Sequence, residues 1–528
     1  MRVIRNIVRD AAFKSAIVPV CIGALLVGGC SQRRNAQSST SGGTQNGPSV
    51  ELQYSSPVEV KWDHVIMVVK STPTLQVVVN PMLRRGSKIH DQAYDAVKQL
   101  QADYVRYVPW LPYPKLAVAE LEPPTKEETF WDFSLIDPMT EDFMSATAGH
   151  SVILNFSTIP QWMFKTAKPV SYPSDPDQVD WVYEQGTELR DPSMKELANY
   201  YARLVSWYTR GGFTDELGIF HKSHYHYKIP YWEVLNEVNA EHKTTPEQYT
   251  KRYDAIAGAI LKVDPDMKFM GIALAGSDDP RMFEYFLNHS HHHAGIPLNF
   301  ISYHFYASPS SDQTLDDWQY TFFDQADAFL SNVRYIDAIR KRLSPETRTD
   351  TDELGVILPD DNRTDETPEQ INRRIPQKYW NLAGSLYAYL YIELAKQGIN
   401  VIGESQLVGY PTQFPSVSMI DWRTGKPNAR YWVLKLIKDN FSLGDEMLET
   451  DYRNSAIIVQ AFKRGSTKKF LIVNRRDRVS SIKLPEEAVG GKVESVDPST
   501  GEGIWRSVSL ENTSLKMQPF AVTVVSFK

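Results

Sequence analysis

Leu75-Gln76-Val77-Val78-Val79-Asn80 is a nearly continuous apolar run, and a helical pattern follows it at residues 90–101. Apolar side chains on consecutive positions predict a strand buried on both faces, as in a parallel sheet covered by helices. What comes directly after the run separates the two common folds of that kind. A doubly wound dinucleotide-binding sheet places a glycine-rich turn after its first strand. Here Pro81-Met82-Leu83-Arg84 stands in that place, so the open sheet loses support.

The same alternation recurs along the chain. Further strands are predicted at 104–108, 152–156, 231–235, 269–274, 300–303, 348–354 and from 401–403. Helical patterns fall at 143–148, 194–209, 246–263, 281–288, 314–343, 368–397 and 429–440. Eight such units over residues 71–440 predict an α/β fold, a (β/α)8 TIM barrel with enlarged loops. After residue 440 the texture changes. Short β runs at 456–462, 469–473, 492–496 and 521–527, separated by turn signals, predict an antiparallel β-sandwich over 441–528. A β segment at 51–70 precedes the barrel and is expected to join that sandwich.

The 528 residues include 57 Lys plus Arg against 64 Asp plus Glu, a formal charge of −7. This mild acidity argues against a nucleic-acid partner, which calls for a basic face. Hydrophobic residues at 42% and charged residues at 23% are those of a globular chain. Aromatics at 12% supply rings for cores and for flat apolar ligand faces alike.

The two cysteines are Cys21 and Cys30, so no Cys-based metal site or internal disulfide is expected in the folded part. Basic residues at 2, 5, 9 and 14 precede an apolar run at 15–29 that is too short to span a bilayer comfortably. Val27-Gly28-Gly29-Cys30 resembles a bacterial lipobox, in which the cysteine is lipidated and becomes the first mature residue. Residues 1–30 are read as that signal and 31–50, rich in Ser, Gly, Asn, Thr and Gln, as a flexible tether. The expectation is an exported protein of the bacterial cell envelope, periplasmic or at the cell surface, that meets the membrane only through its anchor.

In a barrel, chemistry sits where strands end. Strand four ends in Trp232-Glu233-Val234-Leu235-Asn236-Glu237 and strand seven in Asp350-Thr351-Asp352-Glu353. Strand six ends in Ser302-Tyr303-His304-Phe305-Tyr306. Arg106 lies on strand two with Trp110 beyond it, strand three leads through Asn155 to Trp162, and Trp422 follows strand eight. Two carboxylates on one rim, among aromatic and hydrogen-bonding side chains, is what hydrolysis of a glycosidic bond needs. One acid protonates the leaving oxygen and one carboxylate attacks or stabilises an oxocarbenium-like carbon.

Asn-Glu at the end of strand four and Glu at the end of strand seven resembles clan A of the glycoside hydrolases. Within it, the chain is most similar to family 39, which includes β-xylosidases and α-L-iduronidases. Glu233, Asn236, Glu237 and Asn239 agree with that family's strand-four motif, and residues 300–306 with its F-I-S-x-H-x-Y run. The resemblance implies a retaining glycosidase acting on poly- or oligosaccharides without metal or cofactor. It implies Glu237 as acid/base, Glu353 as nucleophile and Asn236 as partner of the sugar hydroxyl beside the reacting carbon. Arg106, if inward, would keep Glu353 ionised. Tyr303, His304, Tyr306, Trp110, Trp162 and Trp422 complete the expected substrate-binding set. By strand alternation, Tyr303 and Phe305 share one face and His304 and Tyr306 the other.

Glu404 competes with Glu353, because residues 401–404 form the more apolar strand. Counting units from Glu237 places Glu353 on strand seven and Glu404 on strand eight. His221, His224 and His226, and the run 288–293, have the look of metal ligands but fall in α-to-β connections, away from the rim. The alternatives are a catalytically inactive surface sugar-binding lipoprotein, which two intact carboxylates disfavour, and a glycosidase of another clan A family.

Overall fold

Eight parallel strands close into a ring in chain order. They are Thr72–Val78, Val105–Val108, Val152–Leu154, Tyr231–Glu233, Lys268–Leu274, Phe300–Ala307, Arg348–Val356 and Val401–Glu404. Val401 pairs with Thr72 and so joins the eighth strand to the first. The computed structural model describes residues 52–183, 186–362, 366–409 and 414–528. Cys30, its apolar run and the tether lie outside them. Among the described residues no helix is long and apolar enough to cross a membrane.

Local chemistry sets most boundaries. The helix Pro246–Val263 opens on a capping box: Gln248 N–H donates to the Thr245 hydroxyl at 3.2 Å, and Thr245 N–H donates to the Gln248 side chain at 3.0 Å. The helical pattern at 368–397 forms two helices, Pro368–Arg374 and Gln377–Lys396. Pro376 pushes Ile375 into extended backbone, which breaks the run. Strand four stops at Glu233, short of the expected 235, because Leu235 turns to a positive φ of 65°. Strands six and seven run past their expected ends. They pair with each other from Phe300↔Arg348 to Ala307↔Val356, so the polar run of strand seven is held by its neighbours rather than by its own propensity.

The C-terminal part is two sheets, one of seven strands and one of three. The segment Glu59–Val68 is the edge strand of the larger sheet, antiparallel to Glu446–Asp451, and Leu52–Pro57 runs parallel to Ser480–Lys483 in the smaller. Side-chain alternation gives the larger sheet two buried faces. Phe470 and Ile472 face the smaller sheet, in a core with Leu448, Ile482 and Val525. Leu471 and Val473 face the barrel and belong to its core, together with Phe462, Val522 and Val524. Phe462 meets Phe441, at the end of the last barrel helix, with ring centroids 4.4 Å apart. Each such side chain stabilises the junction by roughly 1.5–3 kcal/mol when fully buried.

Candidate active site

Arg106 projects from strand two into the barrel and is 1% exposed. Its Nε donates to Glu233 at 2.5 Å, its Nη1 to Gln76 and to Glu353 at 2.7 Å each, and its Nη2 to Asn236 Oδ1 at 2.7 Å. Asp352 lies 3.0 Å from the same Nε. One guanidinium thus ties strands one, two, four and seven together beneath the mouth. Glu233, fully buried, also accepts from Asn155 at 2.7 Å and Ser302 at 2.5 Å. Burial opposes its charge, but Arg106 and the Ser302 hydroxyl outweigh that and keep it below the usual carboxylate range. Asp350 and Asp352 go the other way. Burial, and then the charge of Glu233, push both well above it.

His304 is the register partner of Glu353 on the neighbouring strand. Its Nδ1 lies 3.0 Å from Glu237 Oε1 and 3.5 Å from Glu353 Oε2, and its Nε2 3.5 Å from Asp352. An oxygen of Glu237, a nitrogen of His304 and an oxygen of Glu353 all lie within 4.8 Å of one another. Burial disfavours a charged ring here, yet Glu353, Asp352 and Glu237 outweigh it and lift His304 to about 9. At the mouth the trio is linked through the His304 ring. Glu353 Oε2 also accepts from the Tyr306 hydroxyl at 2.7 Å. Burial would raise the Glu353 carboxyl, but His304, Arg106 and Tyr306 prevail and hold it low. Glu237 sits on strained backbone, with a φ of 39°, and its N–H is anchored on the Ala273 carbonyl at 2.8 Å.

Asn236 and Trp110 meet on a residue absent from the sequence expectation. Glu241 Oε1 accepts from Trp110 Nε1 at 2.6 Å and from Asn236 Nδ2 at 3.0 Å. Trp110 stands edge-on to Trp181 at 5.6 Å, and Trp181 lies 6.0 Å from Phe414, which makes an aromatic wall beside the carboxylates. Trp181 comes from a long loop with no regular pattern, whereas Glu241 could have been found by its place four residues after Glu237.

Three expected binding residues pack in or against the core instead. Tyr303 is fully buried and faces the helical layer, against Phe283 and Phe329, because alternation turns it away from His304. Trp162 is 5% exposed, with its indole N–H on the Glu120 carbonyl and Arg190 over its face. Trp422 packs half-buried on the barrel core beneath Arg423. Glu404 points out of the ring to Arg430, at 2.9 Å. Of the other histidines, His221 pairs with Asp215 at 2.8 Å and His292 with Asp254 at 2.6 Å.

Residues 198–348 match the family model described as Glycosyl hydrolases family 39. The chain resembles glycoside hydrolase family 39. The matched segment contains Glu237, His304 and Tyr306, and supports glycosidase function. Glu353 lies just beyond it, so its place rests on the barrel itself. Solved structures share the fold. The GH51 arabinofuranosidase from Xanthomonas axonopodis pv. citri aligns with a TM-score of 0.58 at 12% identity, covering 89% of this chain and 99% of that one. A monomeric β-xylosidase from Caulobacter crescentus CB15 aligns at 0.57 and 13%, covering 89% and 99%. A GH30 endoxylanase from Clostridium papyrosolvens C71 aligns at 0.55 and 13%, covering 90% and 100%. No curated protein matches the chain in sequence.

Proposed function

We propose that the protein is a retaining glycoside hydrolase in which Glu353 attacks the sugar and Glu237 serves as acid and then base. The observation that carries this is the approach of their oxygens to within 4.8 Å. Retaining pairs stand about 5–5.5 Å apart, whereas inverting pairs leave about 6.5–9.5 Å for a water.

The charges divide the work. Arg106 and His304 are cations, and Glu233 and Glu353 the anions that answer them. Glu353 is therefore ionised and ready to bond the anomeric carbon, as Glu237 gives its proton to the departing oxygen. A water then enters, Glu237 takes its proton, and the ester to Glu353 breaks. His304, between the two carboxylates, holds both in place through the exchange. Asn236, with Oδ1 fixed by Arg106, turns its Nδ2 toward the mouth, where it meets the hydroxyl beside the reacting carbon. That contact tightens as the carbon flattens.

The substrate is a carbohydrate. A panel of 4-nitrophenyl glycosides tests the reading, starting with the xylosides and arabinofuranosides named for the structural neighbours. Proton NMR of the anomer first released separates retention from inversion. The reading also places the enzyme outside the cytoplasm on a lipidated Cys30, supported by the lipobox-like run and the polar tether after it.

A further inference from the structure

A third carboxyl stands at the mouth beyond the two that the reaction needs. Glu241 Oε1 is saturated by two donors, Trp110 Nε1 and Asn236 Nδ2. Its Oε2 is buried and has no hydrogen-bond partner. The charged groups that face it are Glu237 on its own loop and Glu353 on strand seven, with His304 beyond Glu237 and Arg106 beyond Asn236. No cation is among its hydrogen-bond partners, and the arrangement is not that of an ion pair.

We propose that Glu241 is a positioning residue that fixes the amide of Asn236 and the ring of Trp110 for the sugar. This rests on the glycosidase reading above. The geometry explains why an acceptor is needed there. Arg106 is donor-only, so it takes Asn236 Oδ1 and leaves Nδ2 facing the mouth. Nδ2 has two hydrogens. Glu241 takes one, which sets the plane of the amide, and the other is left for the substrate. The same oxygen holds Trp110 against Trp181, so the polar contact and the aromatic wall are set by one atom. Burial, and then the neighbouring Glu237 carboxyl, push the Glu241 carboxyl up to about 8, which favours its neutral form. A neutral Glu241 adds no negative charge beside Glu237 once that acid has given up its proton.

Two variants and two substrates test this. Glu241→Gln keeps the acceptor and the neutrality, and Glu241→Ala removes both. The substrates are the aryl glycoside that the wild type cleaves fastest and its 2-deoxy counterpart. Glu241→Ala should lower kcat on the 2-hydroxy substrate by about tenfold or more, with a smaller change in KM, because the lost contact strengthens in the transition state. Its loss on the 2-deoxy substrate should be several-fold smaller, since the hydroxyl that Asn236 serves is already missing. Glu241→Gln should recover most of the rate at pH 6–7. Its pH profile should lack an ionisation near 8 that the wild type shows. Equal losses on both substrates, or a Gln variant as impaired as the Ala variant, overturn the proposal while leaving the glycosidase reading intact. A wild type that cleaves no glycoside overturns both.

Discussion

Arg430 holds Glu404 in a buried ion pair, with Nε 2.9 Å from the carboxylate and both side chains 1% exposed. The pair joins strand eight to the last helix and faces away from the mouth. Burial outweighs the arginine and raises Glu404 to about 7, and the carboxyl is a structural partner of Arg430 rather than a group at the mouth. Glu404→Ala should cost roughly 3–5 kcal/mol of stability by leaving the buried charge of Arg430 without its carboxylate, with only the Ser405, Ser416 and Val417 carbonyls to accept from it, while the folded fraction keeps its turnover. Glu353→Ala should lose about a thousandfold or more in kcat and regain part of it with azide, giving a glycosyl azide of inverted configuration. Thermal melts and azide-dependent rates check both.

The His304 ring makes an alkaline prediction. In the unfolded chain it titrates at about 6.5, and in the fold at about 9. A raised value means that the charged ring stabilises the fold fully below about pH 6.5, with the benefit lost as pH climbs through 9. The wild-type melting temperature should fall more steeply between pH 6.5 and 9 than that of His304→Gln. Parallel curves would show that the ring is not charged in the fold.

The shared core predicts that the sandwich cannot be removed. Leu471, Val473, Val522 and Val524 belong to the barrel's core, and Phe441 sits on Phe462. Deleting residues 442–528 strips that face and should give insoluble protein. A soluble barrel with full activity would show that the junction is dispensable.

The anchor is tested by fractionation. Under the proposed anchoring, Cys30→Ser should move the protein from the membrane to the soluble fraction, because acyl chains at that cysteine would supply the hold. A variant that stays with the membrane would exclude Cys30 as the attachment point.

Much of this was legible in the sequence because period and position carry it. Eight apolar runs between helical patterns define the barrel, and the count from Glu237 separates Glu353 from Glu404. Alternation correctly divided His304 and Tyr306 from Tyr303 and Phe305, even though Tyr303 was still expected at the sugar. Trp162 misleads because an aromatic beyond a strand end has the same signature in a core and in a cleft. Gln76 and Asp352 were not legible as site residues, since each acquires its role from a partner on another strand, whereas Glu241 was overlooked although it stands four residues after Glu237. Gln76 and Asp352 matter through Arg106, and Glu241 through Asn236 and Trp110.

The proposed bond between Glu353 and the sugar can be trapped. A 2-deoxy-2-fluoroglycosyl fluoride of the sugar cleaved fastest would slow both steps, and its good leaving group would let the first proceed. Mass spectrometry of the digested protein then locates the sugar. Time-dependent inactivation is expected, with one added glycosyl mass, carried on the peptide bearing Glu353. A label on the peptide bearing Glu404, or no label together with a first-released anomer of inverted configuration, would contradict it.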